Sequence, residues 1–139
     1  MDTMSFTVSI LTKVTRESVE GLLACAFEGG SNYWYRDLHI SKMPEGKESK
    51  KDFKHWHLEV PLLPGGQLSF RNVEEPKWDD DYVDIRGCYR LNQLSIERGL
   101  RIMANNYPRH WQDFINESHD AWTGDCFLQC CIFGEVLYG

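Results

Sequence analysis

The stretch that decides the fold is "DAWTGDCFLQCCIFGEVLY", residues 120–138. Asp120 is a favourable N-cap, because its carboxylate can accept a backbone N–H of the first helical turn. From Ala121 onward the run is apolar on nearly every side. A helix without a polar face has nothing to show to water, so it belongs in the middle of the molecule. Within it Asp125 and Gln129 stand one helical turn apart. Burial obliges both to find hydrogen-bond partners, and the loop at Ser31–Asn32 is the candidate to supply them.

A central helix needs elements around it, and the rest of the chain provides them. "TRESVEGLLACAF" (15–27) places Val19, Leu22, Leu23, Ala26 and Phe27 on one buried helical face, with Thr15 as N-cap and Glu17 in the first turn. Gly29 or Gly30 is expected to end that helix in a positive-φ cap. Asn92 caps a further helix whose face carries Ile96, Leu100 and Met103. Pro108 disfavours helix at Tyr107 and stops it. "PRHWQDFINE" (108–117) then gives a short amphipathic helix with Trp111, Phe114 and Ile115 on one side.

Strand signals dominate the first two thirds. "SFTVSILTKV" (5–14) alternates Phe6, Val8 and Ile10, and "NYWYRDLHI" (32–40) is rich in strand formers. "HWHLEVPLL" (55–63) alternates Trp56, Leu58 and Val60. The turn "PGG" (64–66) sends it back through "QLSFRNV" (67–73) as a β-hairpin. The segment 74–91 becomes strand-like towards its end. Between strands, "SKMPEGKESKKDFK" (41–54) is a lysine-rich insertion that reads as a mobile loop. Strands first and helices later predict an α+β fold. We expect a mostly antiparallel sheet of about four strands, three to four helices on one face and the C-terminal helix central.

The 139 residues correspond to one domain, 1–139. Such a chain buries roughly 68–70% of its unfolded surface, enough for a real core. Hydrophobic residues at 42% and charged residues at 26% are ordinary for a soluble protein, while 13% aromatics promise a core or interface rich in flat rings. A net charge of −6 lacks the basic footprint of a nucleic-acid binder and disfavours an anionic membrane. There is no apolar run of about eighteen residues and no basic-then-apolar amino terminus, so a cytoplasmic protein is expected. The five cysteines form no CxxC, and Cys130 and Cys131 are adjacent. They read as small apolar core residues kept reduced.

One candidate site is "FEGGSNYW" (27–34). Gly29 and Gly30 let backbone N–H groups approach a ligand, Ser31 and Asn32 add hydroxyl and amide, and Tyr33, Trp34 and Tyr35 offer stacking faces. Together with Glu28 and the Asp120, Asp125 and Gln129 end of the last helix, they form a candidate pocket for a nucleotide-like ligand. A helix stop followed by a polar turn explains the glycines equally well, and glycines that end a helix differ from those that open a phosphate-binding one. Glu28, Ser31, Asn32 and Trp34 are what that simpler account leaves over.

A second candidate is "EEPKWDDDYVD" (74–84). Glu74, Glu75, Asp79, Asp80, Asp81 and Asp84, interleaved with Trp78 and Tyr82, have a charge density resembling nucleic acid and suit the basic groove of a partner protein. A solvated loop is the plain alternative. His55 and His57 would share a strand face, as in some metal sites, but no third ligand has a recognisable spacing. No Walker loop, GxSxG, HExxH or dinucleotide fingerprint is present. No catalytic residue, metal or cofactor is therefore assigned.

"AFEGGSNYW" near the start and "YPRHWQDFINE" with "DAWTGDCFLQCCIFGEVLYG" at the end resemble an uncharacterised family of small phage- and prophage-associated proteins. The matching strings cover about a third of the chain. The resemblance implies no activity, only a context in which small acidic proteins block host machinery. Two functions are expected from these readings. The first is a non-enzymatic accessory protein that binds a host protein or defence complex, in the manner of an anti-CRISPR inhibitor, through 74–84. The other is a small-molecule module that sequesters a nucleotide-like ligand at 28–34. Neither involves direct nucleic-acid or membrane binding, and either is compatible with a homo-oligomer.

Overall fold

The carboxylate of Asp120 accepts the Thr123 backbone N–H at 3.1 Å, and the last helix starts there as its sequence predicts. The computed structural model describes residues 4–73 and 88–139. In order these form α1 (Arg16–Cys25), β1 (Tyr35–Lys42), α2 (Trp56–Glu59), β2 (Gln67–Asn72), β3 (Tyr89–Leu91), α3 (Gln93–Asn106), α4 (Pro108–Ile115) and α5 (Ala121–Phe133). The class is α+β. The sheet is antiparallel in the order β1-β2-β3, one strand fewer than expected, and the described helices number five, not three to four.

α5 occupies the centre, with every residue from Thr123 to Cys131 buried. It packs against α1, α3, α4 and β3. Two glycines permit close approaches to it. A Cβ on Gly99 of α3 would lie 2.2 Å from Cys131 Sγ, and one on Gly124 would lie 2.5 Å from Cys25 Cβ. Leu22, Leu23, Leu68, Phe70, Leu91, Met103, Phe127 and Leu128 complete a continuous core. Each such side chain contributes about 1.5–3 kcal/mol on burial. All five cysteines are thiols outside any disulfide, and Cys126, Cys130 and Cys131 lie in this core. The Cys126 thiol is pushed up by its hydrogen bond with Cys130 and by burial, and the Cys131 thiol by burial.

Four local expectations are corrected. The alternating segment 5–14 pairs with no strand among the described residues. Phe6, Val8 and Ile10 are each more than three-quarters exposed, so alternation without a sheet edge produced no ladder. Residues 55–63 form α2 and a 3-10 turn (Val60–Leu62) instead of a hairpin strand. Glu59 accepts the His55 backbone N–H at 2.6 Å, and Pro61 sits in the first turn of the 3-10 segment; both favour helical geometry. β2 consequently pairs with β1 and β3.

The lysine-rich stretch is not a featureless loop. Ser41 and Lys42 belong to β1, and Ser49 with Asp52 forms a capping box around a 3-10 turn at Lys50–Asp52. Finally, α1 does not end in a positive-φ glycine. It widens into a π-helical turn, Ala26–Gly30, with Gly29 at φ 175° and ψ −60°, closed by Ser31 N–H on Ala26 O at 2.9 Å. The positive-φ cap occurs at Gly134, where α5 ends at φ 77°. Among the described residues no helix is long and apolar enough to cross a membrane.

Candidate ligand cleft beside Asp125

The π turn places the loop 29–34 against the start of α5. Gly30 is required there, since a Cβ would fall 2.1 Å from the Ala121 carbonyl oxygen. After it the chain turns tightly, with Trp34 N–H and Tyr35 N–H both donating to Ser31 O. The turn points three side chains at one carboxylate. Ser31 Oγ and Trp34 Nε1 each donate to Asp125 Oδ1 at 2.7 Å, and Tyr33 OH donates to Oδ2 at 2.6 Å. Hydrogen bonds to an ionised acceptor are short and strong, and here neutral donors alone hold a carboxylate that is 9% exposed.

Gln129, one turn along, ties down the tail. Its Oε1 accepts the backbone N–H groups of Leu137 and Tyr138 at 2.8 and 2.9 Å. Its Nε2 donates to Tyr138 O at 3.2 Å and, more weakly, to Tyr33 OH at 3.4 Å. Tyr138 stacks on Trp34 at 5.9 Å between centroids, and its hydroxyl accepts from Asn72 Nδ2 at 2.7 Å. The Asp125–Gln129 edge of α5 therefore joins the turn, the tail and β2.

Beside this cluster opens a cleft of about 390 Å³. Gly29, Gly30 and Tyr33 form one wall, Trp122, Asp125 and Cys126 another, and His110, Val136 and Tyr138 the remainder. The Trp122 indole is 79% exposed and the Tyr33 ring 50% exposed. A carboxylate offers about four acceptor positions. Oδ1 uses two and Oδ2 one, which leaves room on Oδ2 for a donor arriving from the cleft. The Tyr33 hydroxyl is pushed up to about 12, first by desolvation and then by its bond to the Asp125 carboxylate and that group's charge. It stays protonated and keeps donating. Asp120 is held below the usual carboxylate range, chiefly by the Thr123 backbone N–H.

The nine residues predicted for this site divide into three groups. Gly29, Gly30 and Asp125 line the cleft. Ser31, Trp34 and Gln129 are buried beneath it, so Trp34 is a core residue that fixes Asp125 and offers no stacking face to a ligand. Glu28, Asn32 and Asp120 are exposed and are not among the lining residues. Trp122, His110 and Tyr138 line the cleft without having been singled out in the sequence. Trp122 carried a usable signal: an indole in the first turn of a capped helix precedes the residues that the core can cover.

The acidic candidates Glu74, Glu75, Trp78, Asp79, Asp80, Asp81, Tyr82 and Asp84 lie outside the described residues. His55 and His57 flank the start of α2, not a strand face, with ring centroids 6.1 Å apart. Burial lowers the His57 pKa more than nearby Glu28 raises it. Among the described residues no group of three or more His, Cys, Asp or Glu is arranged to hold a metal ion. The chain matches no protein-family model, no curated protein and no solved structure.

Proposed function

We propose that this protein is a non-enzymatic binding module that sequesters a flat, nitrogen-bearing, nucleotide-like ligand in the cleft at the start of α5. One observation carries the reading: the buried carboxylate of Asp125 lines the same cleft as the exposed side chains of Trp122 and Tyr33. The cleft volume falls within the roughly 300–1,000 Å³ of small-molecule sites. Stacking a base on an aromatic side chain is worth about 1–3 kcal/mol, and the carboxylate selects a ring N–H or exocyclic amine over a bare aromatic. Among the described residues no Lys or Arg lines the cleft. Recognition is therefore of the base, with any phosphate directed to solvent.

Calorimetry against nucleobases, nucleosides and nucleotides tests this. A true ligand at a hundredfold excess over its Kd raises stability by about 2.7 kcal/mol. Trp122→Ala should weaken that ligand at least tenfold, equivalent to about 1.4 kcal/mol, without changing the unfolding midpoint of the free protein. Binding unchanged by Trp122→Ala, or no binder in the panel, would sink the reading.

A second reading, capture of a host protein by a phage-type accessory protein, is favoured by a different observation. Met4, Phe6, Val8, Ile10 and Leu11 are 77–102% exposed on one amino-terminal arm. Exposed apolar runs of this kind mark interaction sites. Replacing Phe6, Val8 and Ile10 by Ser should abolish capture of a single host complex while leaving the fold intact. Charge reversal at Asp79–Asp81 tests the acidic segment in the same assay, and capture that survives both changes removes this reading.

A further inference from the structure

The sheet has two faces. Leu68, Phe70 and Leu91 turn one face into the core, and period-two alternation turns Gln67, Ser69, Arg71 and Arg90 to the other. On that outer face His39, Ser69 and Arg90 lie directly across from one another, and Lys42 lies opposite Gln67. A recess of about 350 Å³ opens there, with His39, Ser41, Lys42, Gln67, Ser69 and Arg90 in its lining.

We infer that this recess is a second binding site, for a small anion bearing a phosphate or carboxylate group. Its floor is polar and held in place. Ser69 and Gln67 are 4% and 7% exposed. Ser69 Oγ and Gln67 Nε2 donate to Ser41 Oγ at 2.7 and 3.0 Å, while Gln67 Oε1 accepts from Asn92 Nδ2 at 3.1 Å. Gln67 Nε2 has a second proton to offer. The rim is cationic. Arg71, Arg16 and Arg101 have carboxylate partners, whereas Lys42 and Arg90 have no ion-pair partner among the described residues.

Among the described residues the recess lining contains no carboxylate. A guanidinium and an ammonium facing one recess repel each other until an anion lies between them. The planar fork of Arg90 matches the paired oxygens of phosphate or carboxylate, and Lys42 adds a point charge. This site shares no residue with the Asp125 cleft and stands or falls independently of it.

The test is a nuclear magnetic resonance titration of the full chain with inorganic phosphate and, separately, with acetate. Saturable shifts are expected at the His39 ring and the Ser69 and Arg90 amides, weakening as salt rises. Lys42→Gln combined with Arg90→Gln should weaken the tighter anion at least about tenfold. Arg101→Gln and Trp122→Ala should not. Both rim residues are exposed, so the double variant should keep the parent's amide spectrum elsewhere. The two titrations tell a phosphate from a carboxylate preference. Shifts that do not saturate with either anion, or binding undiminished in the double variant, overturn the inference.

Discussion

Asp125 and Asp37 each fasten one backbone segment to a neighbour, and they place the buried charge on opposite sides of the bond. Asp125 is itself buried, and Ser31, Tyr33 and Trp34 hold its charge with no cation among the described residues paired to it. Asp37 sits in a β-bulge of β1 at φ 60°, about half exposed. It accepts Nε and Nη2 of Arg71 at 3.0 and 2.6 Å, and there the guanidinium is the buried partner, at 6% exposure. Water shares the load at Asp37, while at Asp125 the protein carries nearly all of it. The same residue type is therefore the buried charge at one site and the exposed partner of a buried charge at the other.

The largest test of that contrast is Trp34→Ala. It deletes a side chain that is 2% exposed and removes one Asp125 donor, and should cost about 3–5 kcal/mol in urea denaturation. Trp34→Phe keeps most of the ring. If it costs as much as Ala, the N–H to Asp125 outweighs the packing. Next comes Asp125→Asn, which preserves shape but sets an amide N–H against the donors. A loss of about 1–3 kcal/mol is expected, and a variant as stable as the parent would show that the charge is not needed there. Asp37→Asn keeps an acceptor oxygen for the Arg71 guanidinium and removes a charge that is about half exposed, so it should cost less than Asp125→Asn and become cheaper in high salt. A cost equal to that of Asp125→Asn would erase the distinction.

The finest test is alkaline. The Tyr33 hydroxyl has an ordinary value of 10.0 and is raised to about 12 in the fold. A raised value means that the folded form holds the proton longer than the unfolded chain. The contribution is whole below pH 10 and disappears as pH climbs towards about 12. Tyr33→Phe should flatten that decline in unfolding midpoint. A decline of unchanged steepness would locate the alkaline loss elsewhere.

The contrast also explains how much the sequence disclosed. α1 and α5 were legible because their caps, Thr15 and Asp120, and their apolar spacing are local. The need of Asp125 for buried partners followed from its position in an apolar helix, and Ser31 is one of them. Trp34 was misjudged as a ligand platform, because an indole in a turn looks the same whether its face meets solvent or Tyr138. Residues 55–63 misled for a related reason. Trp56, Leu58 and Val60 alternate as in a strand, yet the contacts that decided for helix were Glu59 on His55 N–H and the constraint of Pro61. The outer-face recess was invisible, since His39, Ser69 and Arg90 meet only through strand register.

The thiols of α5 give the molecule a built-in reporter of its own opening. Cys130 and Cys131 are sealed in the core and Cys126 stands at the wall of the cleft, whereas Cys25 and Cys88 are partly accessible. A thiol-reactive reagent added to the native protein should therefore modify chains in two stages. Cys25 and Cys88 react first, and Cys130 and Cys131 only when α5 leaves its seat between α1 and α3. The late stage counts excursions of that single helix under native conditions, without denaturant or an added label. A ligand that bridges the turn at residues 29–34 to α5 would slow those excursions in proportion to its occupancy. The reaction rate then becomes a measure of binding for any candidate ligand.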